Sequence, residues 1–189
     1  VGNDITMMIR KMREGMAASG HAPEDLIAAT TRAVTIGSPM GVKWPAVQAQ
    51  IGHVQAETGI EVPVERAGAD YLVLMSSMEI INFPEYLAAL CRIFQKAGVT
   101  WTLAQDAFEA TNSGIQIGAS DLAREIVSRI VVAAERLKVK CVISPECGHA
   151  FTALRWEGPN LMGKPFSFEV KHILEVLDEL HAAGKLKTK

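Results

Sequence analysis

The residues able to do chemistry in this chain collect in one stretch, Ser144-Pro145-Glu146-Cys147-Gly148-His149. An apolar run ending at Ile143 stops at a Ser-Pro, and a carboxyl, a thiol and an imidazole follow at once. In a parallel α/β protein the carboxyl end of a strand is where ligands sit. A thiol placed there, at the start of a following helix, has its pKa lowered and becomes a nucleophile or a metal ligand. Cys147 is therefore the residue with the strongest case for direct chemistry, and Glu146 and His149 flank it as groups able to relay protons. Cys147 and His149 are only half of a metal site, because a structural zinc takes four ligands, and no metal is assigned to them. A Ser-His-Asp arrangement can be drawn from Ser144, His149 and Asp106, but no Gly-x-Ser-x-Gly elbow accompanies it. No Gly-x-Gly-x-x-Gly and no Walker-type Gly-Lys-Ser follows the first apolar run. Gly114 and Gly118 precede a helix and could cradle an anion, or simply make a turn. The other two of the three cysteines, Cys91 among Leu90, Ile93 and Phe94, and Cys141 inside an apolar run, read as core thiols.

The elements that must position this stretch alternate. Short apolar runs at Tyr71–Met75, Val99–Leu103 and Lys140–Ser144 read as strands covered on both faces, with Phe166–Phe168 as a fourth strand or an extended link. Between them lie helical periods: Pro84 to Gly98, one capped by Ser120 or Asp121 and running to Leu137, Cys147 to Trp156, and Glu169 to Ala183. Gly158-Pro159-Asn160 reads as a turn. The expected fold is α/β: a three-layer parallel sheet with flanking helices, Rossmann-like or flavodoxin-like, made by right-handed crossovers. Ahead of it, residues 1–66 read as an N-terminal helical segment, and residues 67–189 as the α/β domain. In that segment Asp4–Ala18 carries Ile5, Met8, Ile9, Met12 and Met16 on one face, which predicts core packing. A second helix runs from Pro23 to Ile36, then the turn Gly37-Ser38-Pro39-Met40-Gly41, then a weaker helix from Trp44 to Thr58 broken at Gly52. His21 and His53 read as structural. Arg155-Trp156-Glu157 offers either an interface anchor or a cover for a sheet edge.

Composition narrows the function. A formal charge of −2 gives no electrostatic case for nucleic acid or an anionic membrane surface. No apolar run approaches the ~18 residues of a membrane span, so no direct membrane insertion is expected. An odd cysteine count without disulfide spacing fits a cytoplasmic, reducing compartment. The start Val-Gly-Asn and the end Gly-Lys-Leu-Lys-Thr-Lys read as a piece of something longer.

One family shares this order of features. Asp70-Tyr71-Leu72-Val73-Leu74-Met75-Ser76-Ser77 is followed by Pro84-Glu85, Lys96-Ala97-Gly98-Val99 and Glu109-Ala110-Thr111-Asn112-Ser113-Gly114. Ser144-Pro145-Glu146-Cys147 and Val170-Lys171-His172-Ile173-Leu174-Glu175 complete the series. This resembles the cysteine-rich CCG domain of heterodisulfide reductase-like iron–sulfur oxidoreductase subunits over roughly Asp70 to Lys187. The turn at Gly37–Gly41 resembles the segment ahead of the first such repeat. The resemblance implies cofactor-binding positions at Ser77, Thr111, Asn112, Ser144 and Cys147, where the family carries cysteines; His172 holds the family position at the start of the last helix and reads as structural. Only Cys147 keeps the thiol, and clusters are held mainly by thiolates. The expectation is a first repeat with a degenerate cysteine motif, without a cluster of its own, cut from an electron-transfer subunit whose full length carries a 4Fe–4S cluster. Its partners would be a second CCG repeat and other subunits of a redox complex, peripheral to a membrane, acting on thiol/disulfide or sulfur compounds. The alternative is a cofactor-free interaction domain that keeps its shape to pack on those partners. An unrelated small enzyme has only the fold in its favour.

Overall fold

The structure is a computed structural model that describes residues 2–144 and 147–187. In chain order it forms α1 Ile5–Ala18, α2 Glu24–Ile36, α3 Trp44–Thr58, β1 Tyr71–Val73, α4 Ser77–Asn82, α5 Pro84–Ala97, β2 Trp101–Thr102, α6 Ser113–Gln116 and α7 Ser120–Leu137. There follow β3 Cys141–Ser144, α8 Gly148–Thr152, a π-helical turn Ala153–Glu157, α9 Gly158–Met162, β4 Glu169–His172 and α10 Ile173–Ala182. The strands make one four-stranded sheet, all parallel, in the order β2-β1-β3-β4. Tyr71 lies opposite both Trp101 and Cys141, Val73 opposite Ile143, and Ser144 opposite His172.

Strand residues point alternately to opposite faces, and here both sets are apolar. Val73, Met75, Cys141 and Ile143 join one buried cluster with α3, α5 and α10. Leu72, Leu74, Val142 and Val170 join another with α7 and Leu161 of α9. That is why the runs read as continuous rather than alternating. The apolar stripe of α5 places Leu87, Leu90, Cys91 and Phe94 inward. The Phe94 ring centroid lies 5.8 Å from those of both Tyr71 and Trp101. Burial pushes the Cys91 thiol up to about 11 and the Cys141 thiol up to about 12, as core cysteines require.

Several local expectations change. The α1 stripe is not core: Ile5 is 67% and Met12 65% exposed, and no residue of α1 is buried. The helix meets the body through its polar side, where Arg10 pairs with Glu157 at 2.7 Å. A 3.6-residue period marks an amphipathic face but does not say which side the fold covers. α3 runs unbroken through the exposed Gly52, because Val47, Ile51 and Val54 are buried against the sheet side and hold both halves. α4 lies where no element was expected. Its signature is a capping box: Glu79 N donates to Ser76 Oγ at 3.2 Å and Ser76 N donates to Glu79 Oε2 at 2.6 Å. α7 has Ala119 as its N-cap, not Ser120 or Asp121. Gly158-Pro159-Asn160 is the first turn of α9 and not a loop, since a proline early in a helix loses no intrahelical bond. The fourth strand falls at Glu169–His172 instead of Phe166–Phe168, so α10 begins four residues later than the periodicity predicts, at Ile173. Phe166 and Phe168 stack on each other at 5.0 Å instead.

The outer strand β4 is covered by a side-chain pair. Arg155 Nη1 donates to the Val170 carbonyl at 3.1 Å and to Glu175 Oε2 at 2.8 Å, and Glu175 accepts from His172 N at 2.8 Å. The pair occupies backbone groups that an exposed edge would offer to another chain. Arg155, not the exposed Trp156, is thus the edge cover, and its guanidinium also lies 5.4 Å from the Phe151 ring centroid.

At the other end of the sheet Asp70 ties three strand starts together. Its carboxylate accepts from Lys140 Nζ at 2.7 Å, from Thr100 Oγ1 at 2.7 Å and from Thr100 N at 3.1 Å. The Lys140 ammonium, then Thr100, hold the Asp70 carboxyl at about 2, below the ordinary 3.8. A depressed carboxyl stabilises the fold above its unfolded value and loses that contribution as pH falls through the folded one. The window therefore runs from about pH 4 down to about pH 2. Asp70→Asn is expected to lower the unfolding free energy from urea melts at pH 7 by about 1 kcal/mol or less, since solvent screens the pair. The difference from wild type should vanish near pH 2. An equal difference at both pH values would contradict the assignment.

Candidate functional site

The chain passes from β1 to β2 on one side, then to β3 on the other side of β1. Connections that leave neighbouring strands in opposite directions open a crevice at their carboxyl ends. Ser76 and Ser77 follow β1 there, Ser144 is the last residue of β3, and Cys147 comes after it. The ends are held in place by backbone bonds: Leu74 N donates to Ile143 O at 3.0 Å, and Met75 N to Phe108 O at 2.6 Å.

Ser77 is the centre of a buried hydrogen-bonded group. Its Oγ donates to the Glu109 carboxylate, lying 2.7 Å from Oε2 and 2.8 Å from Oε1, and its N–H donates to Oε1 at 2.9 Å. The Ser38 hydroxyl lies 2.8 Å from the Ser77 hydroxyl and accepts from Val42 N at 3.1 Å. Ser38, Ser77 and Glu109 are 0%, 2% and 6% exposed. Burial pushes the Glu109 carboxyl above its ordinary value, against the opposing pull of the Ser77 and Ser38 hydrogen bonds.

Thr111, Ser144 and Cys147 are also turned to local bonding. Thr111 Oγ1 accepts from Ser113 N at 3.2 Å, and Asn112 is the N-cap of α6 without a side-chain capping bond. Ser144 is buried, and its Oγ lies 3.5 Å from the Cys147 carbonyl. Cys147 is half-buried and caps α8, its Sγ accepting from Ala150 N at 3.4 Å. His149 is exposed on α8. Glu146 lies outside the described residues. Asp106 is exposed and paired with Arg136 at 2.8 Å. Ser77 is thus joined to Ser38 and Glu109, and Ser144 to Cys147, with no hydrogen bond between the two groups among the described residues. Nor do those residues contain a group of three or more His, Cys, Asp or Glu side chains able to hold a metal.

An iron–sulfur cluster does not fit this donor set. A cluster edge wants several thiolates. Here one thiol stands among hydroxyls that already bond to a carboxylate, a backbone carbonyl and an amide. The glycines nearby serve packing instead of anion binding. A Cβ on Gly114 would lie 2.5 Å from Ala123 N, and one on Gly118, at φ +80°, would lie 2.4 Å from the Arg13 carbonyl carbon. Sequence reading placed Ser77 at the site but missed Ser38 and Glu109 as its partners. The signal available was a carboxylate inside the apolar stretch Ala107-Phe108-Glu109-Ala110 of the connector after β2, too apolar a setting to be left without donors.

Two curated relatives show what kind of protein this chain is similar to. An EtfAB:quinone oxidoreductase of Syntrophomonas wolfei is 27% identical over 191 aligned residues, covering 97% of this chain and 26% of that protein. A subunit of the dihydromethanophenazine:CoB–CoM heterodisulfide reductase of Methanosarcina barkeri is 30% identical over 103 residues, covering 52% of this chain and 25% of that protein. The chain spans about a quarter of the length of these relatives. No family model matches the chain, and no solved structure matches it. Among the described residues no helix is long and apolar enough to cross a membrane.

Proposed function

We propose that this chain is part of an electron-transfer subunit of heterodisulfide reductase type, in which this α/β repeat carries no cluster. Its role is to pack, as a three-layer Rossmann-like unit, on a second, cluster-bearing repeat and on the other subunits of a redox complex. The complex acts on thiol/disulfide or sulfur compounds, in the cytoplasm and peripheral to a membrane. The redox setting is supported by the names of the two relatives. The cluster-free reading is carried by one observation: the position where the family's first thiolate is expected is taken by Ser77, whose hydroxyl and amide are both engaged by Glu109. Cys147, with His149 and Glu146 beside it, is the part of this corner left with thiol chemistry, at the rim facing the proposed second repeat.

Anaerobic reconstitution with ferrous iron and sulfide tests this. The purified chain is expected to stay colourless, with iron and acid-labile sulfide far below one per chain. Cys147→Ala, which removes the corner's thiol, should give the same content. A brown wild-type protein with stoichiometric iron, bleached by Cys147→Ala, would overturn the cluster-free reading.

A further inference from the structure

Three separate connectors meet at Glu109. Ser38 comes from the turn between α2 and α3, Ser77 from the β1–α4 junction, and Glu109 from the segment between β2 and α6. We propose that Ser38, Ser77 and Glu109 form a proton-sensitive clasp that fastens the α2–α3 turn to the carboxyl-terminal edge of the sheet and loosens as Glu109 ionises.

The geometry sets two opposed effects. With Glu109 ionised, the donors run in one direction: Val42 N–H to Ser38, the Ser38 hydroxyl to Ser77, and the Ser77 hydroxyl and N–H to the carboxylate. A proton on Glu109 adds one O–H to a chain whose donors already point at the carboxylate, which favours the ionised form. Against this stands desolvation. The carboxylate is almost wholly out of water, and no Lys, Arg or His is paired with it among the described residues. Of the charged groups on the surrounding elements, Lys43 of the α2–α3 connector and His53 of α3 are exposed to water, and others are engaged elsewhere. Arg32 of α2 donates to the Pro39 carbonyl at 2.8 Å, Glu79 of α4 accepts from Ser76 N, and Asp106 of Glu109's own connector pairs with Arg136. From α3, Gln50 donates to the Glu79 carbonyl at 3.1 Å. Taking a lone carboxylate out of water is the larger effect, and the upward push on the Glu109 carboxyl agrees with it.

The sign follows by linkage. A carboxyl raised in the closed state binds its proton more tightly there than in water, so closure is fully supported at low pH. The support is lost as pH rises through the closed-state value. Glutamine at this position copies the neutral form in shape and keeps an acceptor for Ser77.

Amide hydrogen exchange of the full chain reads the clasp directly, because Val42 and Ser77 each donate their N–H into it. After correction for intrinsic exchange, protection of both amides in wild type is expected to fall severalfold from pH 5 to pH 8. In Glu109→Gln it should stay flat and at least as high as in wild type at pH 5. Ser38→Ala, which leaves Ser77 and Glu109 together, should strip protection from Val42 while Ser77 keeps its pH dependence. It also carries the test if Glu109→Gln does not fold. Protection in wild type that is flat, or that rises with pH, overturns the clasp, and so does an unchanged slope in Glu109→Gln. The inference does not rest on the redox assignment.

Discussion

Gly114→Ala is expected to destabilise the chain by about 3 kcal/mol or more, at or beyond the upper end of ordinary overpacking. The added methyl would sit 2.5 Å from Ala123 N, 2.6 Å from its Cα and 2.9 Å from its Cβ. Those are backbone and near-backbone atoms in the first turn of α7, which cannot rotate aside as a side chain can. Relief would need α6 to move off α7, and α6 begins at Ser113, next to Thr111 and Asn112. The damage should therefore spread from packing to the connector that presents Glu109. Gly158→Ala is the internal comparison. Its methyl would meet Phe166 Cζ at 2.6 Å, an atom at the far end of a side chain, so the neighbour can give and the loss should be smaller. Urea melts followed by circular dichroism decide the matter. A Gly114→Ala midpoint close to wild type, or a larger loss for Gly158→Ala, would refute the assignment of Gly114 to close packing.

Where the sequence could be read and where it could not has a physical basis. The buried strands and the long helices were legible because continuous apolar runs and wide stripes have few other uses: Tyr71–Val73, Cys141–Ser144, Pro84–Ala97 and Ser120–Leu137 all lie where expected within a few residues. Short elements were not, because their ends depend on caps and partners. α4 is defined by the Ser76–Glu79 capping box, a signal present in the sequence but outweighed by the two serines that read as a strand end. β4 is placed by pairing of Val170 with Val142, which no local pattern states. α1 shows the limit of periodicity most plainly, since its apolar face points outward and its docking side is set by Arg10 meeting Glu157, far along the chain. The candidate site was half legible. Strand ends gave Ser77 and Cys147, but Ser38 lies 39 residues before Ser77 and Glu109 lies 32 after it, so only the fold joins them.

Phe94→Ala is expected to cost about 3–5 kcal/mol, a large share of the ~5–15 kcal/mol that holds a domain together. Phe94 is fully buried, and its ring contacts Tyr71 and Trp101, the first residues of the paired strands β1 and β2. Truncation leaves a cavity that neither strand can fill, because their main chains are fixed by the ladder and Tyr71 also pairs with Cys141. Phe94→Leu keeps most of the volume and should lose much less. The location makes the variant informative about the clasp as well. Phe94 packs at the amino ends of the strands, while Ser77 and Glu109 lie past their carboxyl ends. A loss of global stability there should shift the urea midpoint without flattening the pH dependence of Ser77 amide protection, as long as the folded state dominates. If Phe94→Ala abolishes that pH dependence in a chain that remains folded, Ser77 exchanges through global opening and not through the clasp. Retention of the pH dependence together with a lowered midpoint would separate the scaffold that carries the corner from the proton-linked contacts within it.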